Sequence, residues 1–198
     1  MEKIIATNET IKDIVKAEIE KLGKSADLNH IDVSNVKDMA GVFAESEFNG
    51  DISKWNVSNV TGMNSMFYNS EFNGDISKWN VSNVTVMRHM FAGSIFNGDI
   101  SGWDVSNVKD MNSMFYDSVF NGDISNWDVS NGEDMAFMFV HSKFNGDISN
   151  WSVSEALYDC HMFKNSKFTG KFNNKKYLDG LEVTSTNQML EYNMRILI

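Results

Sequence analysis

One motif, written repeatedly at a fixed interval, constrains this chain more than any other feature. Trp55, Trp79, Trp103, Trp127 and Trp151 stand 24 residues apart, and Phe48, Phe72, Phe96, Phe120, Phe144 and Phe168 keep the same step. So do Val33, Val57, Val81, Val105, Val129 and Val153. A period in this range marks one unit of a repeat array. A stack of equivalent coils requires such register, because each coil buries its apolar face only against its neighbours.

Within one repeat, Ile52, Trp55 and Val57 follow the L-x-x-L-x-L spacing of leucine-rich repeats. The two-residue step from Trp55 to Val57 predicts a short strand. Val60, Met63, Met66 and Phe67 step by three and four, which predicts a helical turn. Asn49-Gly50 then reads as the return turn, with glycine supplying positive φ and asparagine a local hydrogen bond. Stacked in a parallel sheet, like residues fall about 4.8 Å apart and form continuous apolar columns.

The two ends depart from the pattern. Residues 8–22 put Ile11, Ile14, Val15, Ile19 and Leu22 on one side, the stripe of an amphipathic helix. Asn8 or Thr10 is placed to cap its start and Gly23 its end. Laid across the open face of the first coil, such a helix acts as a cap. Ile31 stands where later repeats have Trp, and Val42 where they have Met. After Trp151 the pattern decays, with Asp159, Thr169, Lys171 and Lys175 at positions held elsewhere by Met, Asn, Asp and Trp. Leu181, Val183, Met189, Leu190, Met194, Ile196, Leu197 and Ile198 then suggest a C-terminal cap.

Composition narrows the function classes. A formal charge of −10 and a pI near 4.8 argue against a nucleic-acid partner, which requires a basic footprint, and disfavour an anionic membrane surface. A single cysteine, Cys160, excludes an internal disulfide framework and hints at a reducing compartment. The run Met1-Glu2-Lys3-Ile4-Ile5-Ala6-Thr7 is too short and too charged for a signal peptide, and no stretch approaches a membrane span. The absence of proline suits a stack in which every backbone N–H is needed as a donor. Thirteen methionines read as filling for irregular core gaps.

The repeated F-N-G-D-I-S-x-W-(N/D)-V-S-N-V-x-x-M-x-x-M-F, over about Asp27 to Phe172, resembles the bacterial surface-protein repeat of mycoplasma lipoproteins and BspA-like proteins. The opening Ala26-Asp27-Leu28-Asn29-His30-Ile31-Asp32-Val33-Ser34-Asn35-Val36 resembles the start of such arrays. That resemblance implies a leucine-rich-repeat-like solenoid, usually on a cell surface and associated with adhesion or host contact. The expected fold is therefore α/β: a right-handed solenoid with one short parallel strand and one short helical turn per coil. An N-terminal helical cap is expected over residues 1–26, repeats over 27–172 and a C-terminal cap over 173–198. The chain shows no leader, lipid-attachment cysteine near its start or wall anchor, which keeps a virion protein or an intracellular module open beside the surface assignment.

Several clusters carry chemistry in principle. Asp51, Asp75, Asp99, Asp123 and Asp147 should form a column. Neighbouring charges about 5 Å apart repel by about 3 to 4 kcal/mol at an effective dielectric of 20, so the column must face water, accept backbone N–H bonds or hold a cation such as calcium. The spacing also matches a retaining glycosidase pair, but catalysis needs one unequal pair, and here every coil repeats the same one. Asp159-Cys160-His161 has no second cluster at ligand spacing, and His89 and His141 sit at different repeat positions and build no triad. No catalytic residue, metal or cofactor is expected. Asn59, Asn83 and Asn107, with Ser58, Ser82 and Ser106, read as ladder residues satisfying backbone groups between coils.

Where the repeats disagree, the scaffold is free, and disagreement marks exposed positions. Among these Tyr68, Arg88, His89, Tyr116 and Phe137 are the candidate contacts, since exposed aromatics and arginine are enriched at binding hot spots. A competing face carries Lys54, Asn56, Lys78, Asn80, Asp104, Asn126, Asp128 and Asn150 between the core residues. The expected function is non-enzymatic recognition or adhesion, with a protein or glycan as partner at a cell or virion surface. An intracellular interaction scaffold is the alternative, and a glycan-active enzyme the third reading.

Overall fold

The computed structural model describes residues 2–153, 161–166 and 168–170. The expected C-terminal cap, Asp159 and Cys160 lie outside the described residues. Among the described residues the regular elements are a strand β1 (Ile4–Ile5), a helix α1 (Ile11–Leu22) and a strand β2 (Ile31–Asp32). The strands pair in parallel, Ile4 opposite Ile31 and Ile5 opposite Asp32.

The rest is a stack of irregular layers held by bonds between repeats. Met63, Ser65, Phe67 and Asn69 donate their N–H groups to the carbonyls of Val86, Arg88, Met90 and Ala92 at 2.8–2.9 Å. The set recurs at Met87, His89, Phe91 and Gly93 and again at Met111, Ser113, Phe115 and Asp117. Isolated parallel bridges link Asp38 to Gly62, Gly62 to Val86, Val86 to Asp110 and Asp110 to Asp134. The inter-repeat ladder thus runs through Met63–Asn69, whereas the spacing pointed to Trp55–Val57. Around Trp55 the backbone closes a local turn instead, the Trp55 N–H donating to Ile52 O at 3.1 Å.

Side chains tie the layers where the backbone does not. Each Trp Nε1–H donates to a carbonyl of the preceding repeat, from Trp55 to Leu28, Trp79 to Ile52, Trp103 to Ile76, Trp127 to Ile100 and Trp151 to Ile124, at 3.0–3.3 Å. Asn59, Asn83, Asn107 and Asn131 donate from Nδ2 to Ser34, Ser58, Ser82 and Ser106 carbonyls at 2.7–2.8 Å. A second asparagine column works the other way: the N–H groups of Asn73, Asn97, Asn121 and Asn145 donate to Oδ1 of Asn49, Asn73, Asn97 and Asn121 at 2.7–2.8 Å. Asn49 and its equivalents therefore bond across layers rather than within their own turn. The tryptophan bonds satisfy buried polar groups, and the two asparagine columns tie the layers at exposed positions.

Between these bonds lies one continuous core. Phe43, Phe67, Phe91, Phe115, Phe139 and Phe163 stack with centroids 5.4–5.7 Å apart and rings within 7° of parallel. Phe72, Phe96, Phe120 and Phe144 form a second column at 6.3–6.4 Å. These separations suit offset-stacked rings, each pair contributing about 0.5–1.5 kcal/mol beyond its buried area. Ile52, Val57, Val60, Met63 and Met66 and their equivalents in the next two repeats fill the remaining core and are buried.

The glycine of each Asn-Gly has a different purpose from the one its turn chemistry suggests. Gly74, Gly98, Gly122 and Gly146 are absent from the positive-φ residues. A Cβ on Gly98 would instead lie 2.8 Å from the Phe96 ring, and one on Gly74 2.8 Å from Phe72. Glycine is required here because the phenylalanine two residues earlier folds back over it.

At the N-terminus, α1 buries Ile11 and Val15 in the same core and leaves Leu22 exposed. Thr10 holds the N-cap position without a capping side-chain bond; its Oγ1 accepts from the Thr7 N–H. Asn8 does not cap the helix either. Its Oδ1 accepts from the N–H groups of Lys37 and Asp38 at 2.7 and 3.2 Å, standing in for the carbonyl that a preceding repeat supplies to Thr61. Gly23 ends α1, with φ 90° and its N–H on Ile19 O. Glu18, one and two turns after Val15 and Ile11, is buried with them and accepts from Lys21 Nζ at 2.9 Å and His30 Nε2 at 2.8 Å. Those two bonds hold its carboxyl below the ordinary value.

Candidate functional site

The ladder segment is built from two tight turns, and these create the most distinctive surface. The N–H groups that do not reach the next repeat close back on their own chain: Met66 onto Met63, Tyr68 onto Ser65 and Ser70 onto Phe67, at 3.1–3.3 Å. Each repeat then requires two left-handed residues four apart, Ser65 and Asn69, His89 and Gly93, Ser113 and Asp117, Phe137 and His141, His161 and Asn165, with φ between 50° and 66°. Asn, Asp, His and Gly tolerate this region, but Phe137 at φ 60° is an outlier for a bulky side chain. The Met63, Met66, Phe67 spacing therefore arises from paired turns rather than from a helical turn.

All five candidate contacts lie at the tips of these turns. Tyr68 is half-buried, with His89 of the next repeat edge-on to it at 6.5 Å. Arg88 precedes His89 and is exposed. Burial pushes the His89 imidazole below its ordinary value, Arg88 adds to this, and Asp110 opposes it. Tyr116 and Phe137 are 39% and 41% exposed, which places both among the few large apolar side chains left to solvent.

Two further histidines join this surface. His141 meets Tyr116 edge-on at 5.9 Å, and His161 stacks on Phe137 at 5.9 Å. Sequence reasoning found only that His89 and His141 occupy different repeat positions. The missed signal was the offset of each histidine from an aromatic about one repeat earlier, from 68 to 89, 116 to 141 and 137 to 161. Between His89 and Phe137 the tip is small and folded in: Asn112 and Ser113 are buried, and Asn112 Nδ2 donates to the Asp134 carboxylate at 3.1 Å.

Half of the competing face is chemically engaged, at Asn56, Asn80, Asp104 and Asp128. Oδ1 of Asn56, Asn80, Asp104 and Asp128 accepts the N–H of the serine two residues on at 3.0–3.2 Å. For Asn56, Asn80 and Asp104 the same oxygen also accepts the serine hydroxyl at 2.6–2.7 Å. Much of its acceptor capacity is therefore already in use.

The aspartate column follows the same rule. Asp51, Asp75, Asp99, Asp123 and Asp147 each accept from the N–H of the serine two residues on at 2.9–3.0 Å. Hydrogen bonds from these serines are the leading cause that holds Asp51, Asp75, Asp99 and Asp123 below the ordinary carboxylate value. Repulsion between successive carboxylates opposes this at Asp75, Asp99 and Asp123 but is the weaker effect. Water explains why: exposed charges 5 Å apart at a dielectric near 80 repel by only about 1 kcal/mol. Among the described residues no group of three or more His, Cys, Asp and Glu side chains is placed to hold a metal ion. No helix among them is long and apolar enough to cross a membrane.

Residues 12–119 and, in an overlapping second match, 93–196 fit a family described as "Mycoplasma protein of unknown function, DUF285". No curated protein and no solved structure matches the chain.

Proposed function

The chain belongs to the Mycoplasma protein family of unknown function, DUF285, a repeat family, and from that premise we propose that it is a non-enzymatic recognition protein. Its scaffold is a leucine-rich-repeat-like solenoid, and its contact surface is the row of turn tips bearing Tyr68, Arg88, His89, Tyr116 and Phe137. The partner is a protein or glycan displayed at a cell or virion surface. One observation carries the reading: bulky Phe137 is kept, half-exposed, in a left-handed conformation that Ser65 and Ser113 fill at equivalent positions. Strain held at an exposed aromatic points to a role outside the fold. Truncated hot-spot aromatics typically cost 1 kcal/mol or more each.

The test is binding of the labelled full chain to intact epithelial cells, with and without prior protease or glycosidase treatment of the cells. The variant carries Tyr116→Ser and Phe137→Ser. The expected result is saturable binding that the double substitution weakens at least about tenfold, with the fold retained by circular dichroism. Protease-sensitive binding identifies a protein partner and glycosidase-sensitive binding a glycan. Equal binding by the folded variant overturns the assignment of this surface.

A further inference from the structure

A second face, bordering the turn tips, carries an ordered change of charge along the stack. From Asn69 to Asn73 the chain alternates: Asn69, Glu71 and Asn73 are exposed, and Ser70 and Phe72 between them are buried. This is the two-residue period of an extended segment, and it turns three columns outward as one flat strip. The middle column reads Glu71, Ile95, Val119, Lys143 in successive repeats. Ile95 is 48% exposed, a branched apolar side chain left to water in the centre of the strip. Glu45 and Glu47 lie at the acidic end, and His141 flanks Lys143 at the other. Among the described residues neither Glu71 nor Lys143 forms an ion pair.

We propose that this strip is where a second copy of the chain docks, antiparallel, about a two-fold axis passing between the layers of Ile95 and Val119. The symmetry follows from the order of the column. Rotation about an axis lying in the interface and perpendicular to the stack sets layer against layer in reverse, with each column facing itself. Glu71 then meets Lys143 of the second copy, twice, and Ile95 meets Val119 of the second copy, twice. A parallel arrangement would oppose Glu71 to Glu71 and Lys143 to Lys143, which like-charge repulsion disfavours. The contact is self-complementary, as a closed two-fold interface requires. Its three columns over four or five layers give a strip about 13 Å wide and about 20–25 Å long. That falls short of the roughly 800 Å² per partner of a standard stable interface, so pairing is weak and concentration-dependent. The strip shares its Asn69-to-His141 column with the turn tips, but Glu71, Ile95, Val119 and Lys143 lie outside the contacts assigned to the partner, and the occupant is a second copy of the chain.

Analytical ultracentrifugation of the full chain, up to about 0.5 mM and at about 0.05 M and 0.5 M salt, tests it. A monomer–dimer equilibrium that weakens at high salt is expected. Glu71→Lys and Lys143→Glu should each weaken association at least about tenfold, and the chain carrying both should recover it, because the swapped charges face each other again. Ile95→Asp should abolish the dimer while circular dichroism shows the fold retained. A monomer at every concentration overturns the proposal. So do assembly beyond a dimer, single charge variants that associate as well as the parent chain, and a double swap that fails to recover.

Discussion

Residue by residue, the repeat asks for particular atoms more than for general hydrophobicity. Gly98 shows this most directly, because the Phe96 ring occupies the space a Cβ would need. Gly98→Ala should therefore destabilise the chain by about 1–3 kcal/mol, the usual cost of overpacking, measured as a lowered urea midpoint with an unchanged slope. The need for glycine at this position was legible in the repeat; its reason was not. An Asn-Gly pair suggests a turn with positive φ, and nothing in the residue types reveals that a phenylalanine two positions earlier folds back. The converse holds at Ser65, His89 and Phe137, which are left-handed although neither serine nor phenylalanine signals it. Backbone need at these positions is set by the ladder to the next layer, a non-local constraint that local propensity does not report.

At the scale of the turn, serine and aspartate form a recurring unit whose response to acid has a definite sign. Hydrogen bonds from Ser77, Ser101 and Ser125 keep Asp75, Asp99 and Asp123 below their ordinary 3.8 in the folded chain. Asp32, bonded by Lys3 and Ser34, is lowered to about 2. A lowered folded value means stability that is fully present above the unfolded value and lost as pH falls through the folded one. Urea midpoints should therefore fall most steeply between about pH 4 and about pH 2. Ser77→Ala should raise the Asp75 titration, followed by NMR, toward the ordinary value; an unmoved Asp75 would show that the column itself sets it. These aspartates were expected to face water, accept backbone N–H or bind a cation, and the geometry supplies the N–H. The apolar spacing of Met63, Met66 and Phe67 was legible as a core pattern, yet it fits a helical turn and a pair of tight turns equally well. Only the partners of the backbone N–H groups separate the two.

Over the whole molecule, the buried Phe, Trp, Ile, Val and Met columns follow directly from the period, whereas variation marks exposure only in part: Tyr116 and Phe137 are exposed, but Ala92, Asn112, Ser113 and Val140, at positions that also vary, are buried. Less legible was which exposed face is chemically free, because the serine bonds that engage Asn56, Asn80 and Asp104 depend on side-chain direction. Since nearly every tie joins nearest neighbours, in-frame removal of residues 96–119 should leave a folded chain that melts a few degrees lower and keeps its cooperative transition. Loss of the folded circular dichroism signal on that deletion would mean that distant layers depend on one another. The asparagine column that passes one N–H bond to the next layer has a hereditary consequence. Because the offset is the same at every step, unequal crossing-over between two copies of the coding repeat joins a donor to an acceptor already in register. Lineages can thus lengthen or shorten the molecule by whole units, and the number of layers becomes a trait that selection adjusts separately from the residues displayed on them.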